Sequence, residues 1–310
     1  MKKIVVIAVA VALALSLILP GIASANQPLK VDKHKPVSAT DVELATKVTV
    51  ERGKPAAKPP KPSAGAATGI LGATVNGNGK KYAIVIGISD YPGTSADLSY
   101  ADDDAEDMYR ALTTLYDFKL GNVTKYVDVE ATRDNILDAI ESIGSQATSV
   151  DEVVFFFSGH GGRGKADDGD KELVDECIWA HNGTNLVPIW DGELAAEFVG
   201  YETSRIVFIF DSCYAGGMTD LKAPGRVLTM ATTETTLGYE SDTLGNGDFT
   251  YYLVDQGMMA GKADRYDHNG NGDLVEPTDV TVEESFDYAR ANCLWQTPTI
   301  SDAFDNDLLL

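Results

Sequence analysis

Two long apolar runs in this chain each end at a reactive side chain flanked by glycine. Residues 153–157 contain only valine and phenylalanine and lead into Ser158-Gly159-His160-Gly161-Gly162. Residues 205–210 lead in the same way into Asp211-Ser212-Cys213. Uninterrupted apolar runs of this length are typical of strands buried in a parallel sheet. Because ligands of open α/β sheets bind beyond the carboxyl ends of the strands, we expect His160 and Cys213 to meet at one edge.

Strand-like runs alternate with helical patterns along most of the chain. Further strands are predicted at 81–89, 123–129 and 226–231, and helices at 102–115, 132–143, 191–199, 249–259 and 282–292, with Thr132 as an N-cap. This alternation predicts an α/β fold with a mostly parallel central sheet and helices on both faces. The stretch from Gly162 to Asp175 is rich in Gly, Lys and Asp and predicts an exposed loop.

The N-terminus predicts export. Residues 1–25 combine a basic start, an apolar middle and the small-residue ending Ala23-Ser24-Ala25, which is the pattern of a secretory signal peptide. An uncleaved membrane anchor is the alternative. Residues 26–78 are rich in proline and lysine and predict an extended arm or pro-segment. Residues 79–310 are long enough for one large domain. We therefore expect a secreted or extracytoplasmic protein that has no membrane contact after signal removal.

Charge is distributed unevenly between the arm and the domain. Residues 26–78 hold eight basic and four acidic side chains, whereas residues 79–310 hold 15 basic and 43 acidic ones. A basic arm is expected to dock on such an acidic body. Phosphates would be repelled by the domain, so the charge argues against nucleic acid as a partner.

The three cysteines, Cys177, Cys213 and Cys293, are too few for a disulfide framework. Cys177 and Cys293 either pair or remain two buried thiols, and the residues leave both alternatives open. Of the four histidines, only His160 follows a buried strand between glycines. A thiol beside an imidazole is a nucleophile with its base, so the pair His160 and Cys213 predicts covalent catalysis.

These motifs resemble the caspase-like cysteine peptidases, nearest to metacaspases and their prokaryotic relatives. Ser158-Gly159-His160-Gly161 precedes Asp211-Ser212-Cys213, and His160 lies 53 residues before Cys213, in the order that caspases use. The resemblance spans about residues 80–300 and includes the first strand, the first helix and the stretches 191–194 and 249–253. It implies a three-layer sandwich and an oxyanion hole formed by the backbone N–H groups of Cys213 and Gly161. The pentapeptide of true caspases is absent, so cleavage after aspartate is not implied.

The resemblance also implies a specificity pocket. Asp211 and Asp104 match the acids that in metacaspases hold a basic residue before the cut bond, although Asp102 and Asp103 leave the position uncertain by one. Carboxylates at the base of a pocket pair with arginine or lysine. Self-cleavage is then expected at one or more of Lys80, Lys81, Arg163, Lys165, Lys222 and Arg226, and the arm is expected to occupy the pocket before maturation.

Calcium is the candidate cofactor, and no organic cofactor is expected. Oxygen ligands at Asp267, Asn269, Asn271 and Asp273 match the front half of an EF-hand loop, but Thr278 stands where a bidentate acid belongs. A solvated turn is the alternative. The resemblance implies a second cation site at Asp175, Asp191 and Asp220, for which a solvated acidic face is the alternative.

The sequence therefore predicts a secreted endopeptidase that cleaves polypeptides after Arg or Lys through His160 and Cys213, made as a zymogen and assisted by calcium. Two alternatives are open. One is a related peptidase with asparagine or aspartate specificity. The other is a non-catalytic, calcium-binding caspase-fold module.

Overall fold

The computed structural model describes residues 35–50, 78–169, 171–264, 280–305 and 307–310. The predicted signal peptide and the EF-hand-like loop at 267–273 lie outside these described residues. No helix within the described part of the chain is both long enough and apolar enough to cross a membrane.

The described elements are numbered along the chain. The strands are β1 (Ala39–Ala45), β2 (Val48–Val50), β3 (Lys81–Gly87), β4 (Val123–Val127), β5 (Glu152–Ser158), β6 (Gly161–Ala166), β7 (Asp175–His181), β8 (Leu186–Trp190), β9 (Ile206–Asp211), β10 (Arg226–Met230), β11 (Tyr239–Ser241), β12 (Asn246–Gly247) and β13 (Thr299–Asp302). The helices are α1 (Ala101–Thr114), α2 (Arg133–Gly144), α3 (Asp191–Glu197), α4 (Asp248–Thr250) and α5 (Val282–Asn292), and α4 continues as a π-helix over Tyr251–Met259. Short 3₁₀ turns lie at Thr94–Ala96, Leu120–Asn122, Asp128–Glu130, Ala215–Gly217 and Thr219–Leu221.

A six-stranded sheet forms the centre, in the order β13-β10-β9-β5-β3-β4. All neighbours in it are parallel except β13, which pairs antiparallel with β10. Every residue of β5 and β9 is buried, as their uninterrupted apolar runs predict. The predicted mostly parallel sheet is confirmed.

Helices cover both faces of this sheet. Alternate strand residues such as Phe155 and Phe157 pack in one core with α2 and α3. Their neighbours, such as Val154 and Phe156, pack in a second core with α1, the π-helix and α5. Because successive side chains of a strand point to opposite faces of the sheet, one buried strand contributes side chains to both cores. This is the expected three-layer arrangement.

Local signals also place helix ends. Thr132 precedes α2, and its side-chain oxygen accepts a hydrogen bond from the N–H of Asn135 at 3.2 Å, as predicted for an N-cap. Each predicted helix and strand is present within a few residues of its predicted range, whereas β1, β2, β6, β7, β8, β11, β12 and β13 were not predicted.

The predicted exposed loop at 162–175 is wrong over its first part, because residues up to Ala166 belong to β6. Glycines and lysines weaken a strand signal in the sequence. In the structure β6 lies between β1 and β7 in a four-stranded sheet ordered β1-β6-β7-β8, so backbone pairing on both sides holds it.

Part of the predicted arm is also paired. Residues 39–45 form β1 beside β6, and residues 48–50 form β2, which lies parallel to β11 in a small sheet ordered β12-β11-β2. The domain boundary near residue 78 stays a prediction. Cys177, Cys213 and Cys293 are all free thiols and all buried, so the alternative of a Cys177–Cys293 disulfide is not found.

Candidate active site

The two strands that carry the candidate nucleophile and base are neighbours. β5 and β9 pair in parallel, with Ser158 opposite Asp211, so His160 and Cys213 each lie two residues beyond a matched pair. Gly161, which follows His160, lies directly against the backbone of Cys213. A Cβ atom built on Gly161 would come within 1.8 Å of the Cys213 carbonyl oxygen. Only glycine permits this approach, which brings the His160 and Cys213 segments together.

His160 is fully buried and firmly oriented. Its ring stacks on Tyr91 with centroids 4.6 Å apart, and its backbone N–H donates to the Tyr91 hydroxyl at 2.9 Å. Its Nε2 lies 2.5 Å from the carbonyl oxygen of Ala96, which accepts the Nε2 proton. Nδ1 has no hydrogen-bond partner among the described residues, so it is the nitrogen left to exchange a proton with a thiol.

The electrostatics keep the His160 imidazole neutral. Burial lowers the pKa of His160 below its ordinary value of 6.5 and outweighs the Ala96 carbonyl, which favours the protonated ring. A neutral imidazole at physiological pH can act as a base.

The Cys213 thiol lies beside a backbone donor, in the cleft beyond the carboxyl ends of β5 and β9. The N–H of Gly238 points to Sγ at 3.2 Å. Burial raises the pKa of Cys213 to about 11, although the Gly238 N–H and the Lys47 ammonium favour the thiolate. With Ala45 of the arm packed on it, the Cys213 thiol is protonated and is therefore a weak nucleophile.

The acids predicted to form a specificity pocket come together around a lysine from the arm. Lys47 Nζ lies 2.9 Å from Asp211 Oδ1 and 3.6 Å from Asp104 Oδ2, and none of these three side chains is exposed. Lys47 Nζ also donates to the Ser158 hydroxyl at 2.9 Å, which in turn donates to Asp104 Oδ2 at 2.6 Å. The structure therefore places Asp104, rather than Asp102 or Asp103, in the pocket.

One ammonium faces two carboxylates in the pocket, so the charges are partly compensated. Burial alone would lower the pKa of Lys47, but the carboxylates of Asp211 and Asp104 reverse this and raise it. Burial raises the pKa of Asp104 to about 7 even though Lys47 acts in the opposite direction. Lys47 therefore supplies the positive charge that offsets part of this buried acidic pair.

Backbone and hydroxyl donors complete the walls of the pocket. The N–H of Gly247 donates to Asp104 Oδ1 at 2.8 Å, and Thr250 donates to Asp211 Oδ2 from both its N–H (3.0 Å) and its hydroxyl (2.7 Å). A side chain at Gly247 would collide with both carboxylates, at 2.4 Å and 2.7 Å. Sequence reasoning missed Gly247, Tyr91 and Ala96, which lie far along the chain from the two motifs and carry no local signal. Thr250 lies in the stretch 249–253 that resembles the family, but it was given no role in the pocket. Ser158 did carry a local signal, because it stands two residues before His160 in the same motif.

A second acidic group lies next to β7. Carboxylate oxygens of Glu172, Glu176 and Asp191 lie within 4.8 Å of one another. Asp191 is fully buried, and neither of its carboxylate oxygens has a hydrogen-bond partner among the described residues. Its pKa is raised to about 9 by burial and by nearby acids that include Asp220. Asp175 instead accepts a hydrogen bond from the N–H of Ala166 at 2.8 Å.

Comparisons with known proteins agree with this arrangement. The profile of the caspase domain family matches residues 80–298. Metacaspase-4 of Arabidopsis thaliana is 35% identical over 147 residues, which cover 45% of this chain and 34% of the relative. Metacaspase-1 of Schizosaccharomyces pombe is 33% identical over 152 residues, which cover 46% of this chain and 36% of the relative. The matched part thus spans about a third of each of these relatives.

The matched range contains both strand ends, both pocket acids and five of the six strands of the central sheet, all except β13. The chain belongs to the caspase-domain family of cysteine peptidases, with metacaspases among its relatives.

Proposed function

We propose that this protein is a secreted cysteine endopeptidase that cleaves polypeptides after arginine or lysine. One observation carries the proposal: a lysine side chain lies fully buried between Asp104 and Asp211, at the strand ends that lead into His160 and Cys213. A pocket that holds the Lys47 ammonium through two carboxylates and a hydroxyl would hold a substrate lysine or arginine in the same way. The metacaspase names of the relatives support the same assignment.

The proposed chemistry uses the groups in the cleft. His160 Nδ1 takes the proton of the Cys213 thiol, and Sγ attacks the carbonyl carbon of the basic residue. The backbone N–H groups of Cys213 and Gly161 would receive the negative charge on the oxygen. His160 then gives its proton to the departing amine, which leaves an acyl-enzyme. Water, deprotonated by His160, releases the new carboxylate and restores the thiol.

We also propose that the protein cleaves itself. The predicted cleavage sites differ in whether their backbone is paired in a sheet. Lys81, Arg163, Lys165 and Arg226 lie within paired strands, where the backbone cannot enter a cleft without unfolding a sheet. Lys80 and Lys222 are exposed and lie outside the strands. The carbonyl oxygen of Lys80, however, accepts a hydrogen bond from the N–H of Glu152 at 2.9 Å, so its backbone is held beside β5. We therefore propose Lys222 as the self-cleavage site that the folded protein can present.

We also propose calcium as a regulator at the acidic group next to β7. Oxygen ligands are those that calcium prefers, and the buried Asp191 carboxylate without a hydrogen-bond partner fits a cation ligand. Asp191, Glu176 and Glu172 would hold the ion, with Asp220 contributing charge. Asp267, Asn269, Asn271 and Asp273 remain a separate predicted site.

A peptide panel tests the proposed specificity. Matched fluorogenic peptides with Arg, Lys, Asn or Asp before the reporter are incubated with the Lys47→Ala protein, whose pocket lacks the Lys47 ammonium, and with the Lys47→Ala/Cys213→Ala double variant. We expect turnover of the Arg and Lys peptides only, and none in the double variant. Turnover of the Asn or Asp peptides alone would favour the related peptidase, and no turnover of any peptide would favour the non-catalytic module.

A further inference from the structure

The arm crosses the cleft from the side of His160 to the side of β11. Ala45, the last residue of β1, pairs with Gly161, directly after His160, and packs on Cys213 and Tyr214. Lys47 then enters the acidic pocket. The chain leaves along β11 as β2, with Val48 opposite Tyr239 and Val50 opposite Ser241, in parallel.

The proposed chemistry sets the direction of a peptide that can be cut. When a bond is cleaved after a basic residue, the departing amine belongs to the next residue and must receive a proton from His160. That next residue therefore lies on the His160 side of the pocket. The residues before the basic residue lie on the opposite side, along β11, and run antiparallel to it.

The arm has the opposite direction. The N–H of Val48, which would be the departing amine, donates to the carbonyl oxygen of Gly238 at 2.9 Å, at the start of β11. The residues before Lys47 occupy the His160 side instead, where Ala45 pairs with Gly161 and packs on Cys213. Proton delivery to the Val48 nitrogen is therefore blocked by the placement of the chain.

We infer that residues 39–50 are a built-in inhibitor that binds the cleft in the reverse direction, so that Lys47 fills the pocket without becoming a substrate. The inference rests on the proposed function and adds the regulation of the same site. A tethered segment in a cleavable direction would be removed by its own enzyme, whereas a reversed one persists until it is displaced or cut elsewhere.

Contacts outside the pocket hold the arm in place. Glu43 accepts from Arg163 Nε at 2.9 Å and from the Tyr214 hydroxyl at 2.9 Å, and Arg163 lies 4.5 Å from the Tyr214 ring centroid. At the far end, the Thr49 hydroxyl donates to Glu240 at 2.8 Å. These contacts come from both sides of Lys47, so the direction of the arm does not depend on the lysine alone.

Two synthetic peptides test the direction. One has residues 44–50 in native order, Leu-Ala-Thr-Lys-Val-Thr-Val, and the other has the same residues in reverse order, Val-Thr-Val-Lys-Thr-Ala-Leu. Each is incubated with full-length Lys47→Ala protein and analysed by mass spectrometry. We expect cleavage after lysine in the reverse-order peptide and none in the native-order peptide, which instead inhibits turnover. Cleavage of the native-order peptide after lysine would overturn the inference while leaving the proposed function intact.

Release of the inhibitor is tested in the full-length protein by measuring how fast iodoacetamide alkylates Cys213. This measurement does not depend on peptidase activity. Lys47→Ala is expected to raise this rate by roughly 30-fold or more, because loss of one partner from a buried charged pair weakens binding by that order. Lys47→Arg keeps the charge and should keep most of the protection, and Lys35→Ala, an exposed arm lysine, is the matched control. Equal rates in wild type and Lys47→Ala would contradict the inhibitory role. A new N-terminus at Val48 in wild type, absent from Cys213→Ala, would contradict the reversed direction.

Discussion

The ammonium group of Lys47 lies 2.9 Å from a carboxylate oxygen of Asp211, and both side chains are completely buried. The two residues are separated by more than half the chain, yet they share one pocket with Asp104 and Ser158. A buried pair of opposite charges is stable only while both partners are present, since removal of one leaves the other unpaired in a medium of low dielectric constant. The pocket is thus complementary to a basic side chain, from the arm or from a substrate.

Removal of the charge of Asp104 should weaken recognition of basic substrates. In the Lys47→Ala background, Asp104→Asn is expected to lower kcat/KM for Arg and Lys peptides about 30-fold or more, because a buried charged hydrogen bond is lost. Steady-state kinetics with the fluorogenic peptides measures the effect. Asp103→Asn, on the exposed side of the same helix, is the matched control. A larger loss from Asp103→Asn than from Asp104→Asn would refute this assignment of the pocket.

A side chain at Gly161 should abolish activity. Gly161→Ala would place its Cβ 1.8 Å from the Cys213 carbonyl oxygen, so the backbone of one of the two segments must move. Displacements of about 1 Å at reacting groups cost about 100-fold in rate. Peptide turnover in the Lys47→Ala background is the measurement, and Gly200→Ala, where no atom lies within 4 Å of the added Cβ, is the control. Full activity of Gly161→Ala would show that the close approach is not needed.

Tyr91 should act as a positioning residue for His160. Tyr91→Phe removes the hydroxyl that accepts from the His160 N–H and donates to the Trp179 carbonyl, and it leaves the stacked ring in place. Unpaired buried donors cost about 1–3 kcal/mol, so both the free energy of unfolding and kcat should fall. Chemical denaturation and a pH–rate profile separate the two effects. A purely structural role would lower stability without moving the acid limb of the profile.

His160 should remain neutral at pH values where an exposed histidine is already partly protonated. Its folded-state pKa is lowered below 6.5, mainly by burial. The unfolded chain therefore binds the proton more readily, and the stability that neutral His160 contributes is present above pH 6.5 and is lost as pH falls from there through the lowered pKa. NMR titration of the ring resonance, assigned with His160→Asn, measures this value. A midpoint at or above 6.5 in wild type would contradict the buried, neutral ring.

Calcium should stabilise the wild-type protein through Asp191. Addition of calcium is expected to raise Tm, and chelation with EGTA should reverse the rise, since a ligand that binds only the folded state stabilises it. Asp191→Asn should lose most of the shift, whereas Asp90→Asn, at an exposed position, should keep it. An unchanged shift in Asp191→Asn would assign the effect to another part of the chain.

The order of strands and helices could be predicted from local patterns. The short apolar runs before His160 and Cys213 are typical of strands buried in a sheet, and Thr132 marks the start of α2 by its own side chain, so these elements needed no knowledge of distant contacts. The expectation that His160 and Cys213 lie at one edge of the sheet followed from the rule that ligands bind beyond the carboxyl ends of parallel strands.

Contacts between residues far apart in the sequence decided which residues form the pocket and which polar segment becomes a strand. Nothing near Lys47 in the sequence distinguishes it from the other arm lysines, and nothing local separates Asp104 from Asp103. Each is selected by groups more than 50 residues away, such as Ser158 and Gly247. The polar strand β6 likewise exists because β1 and β7 pair with its backbone. The sequence by itself determined which segments are buried and where the thiol and imidazole are delivered. Only the tertiary structure decided which lysine fills the pocket and in which direction the arm runs, because side-chain burial and strand polarity arise from pairing across the fold rather than from periodicity along the chain.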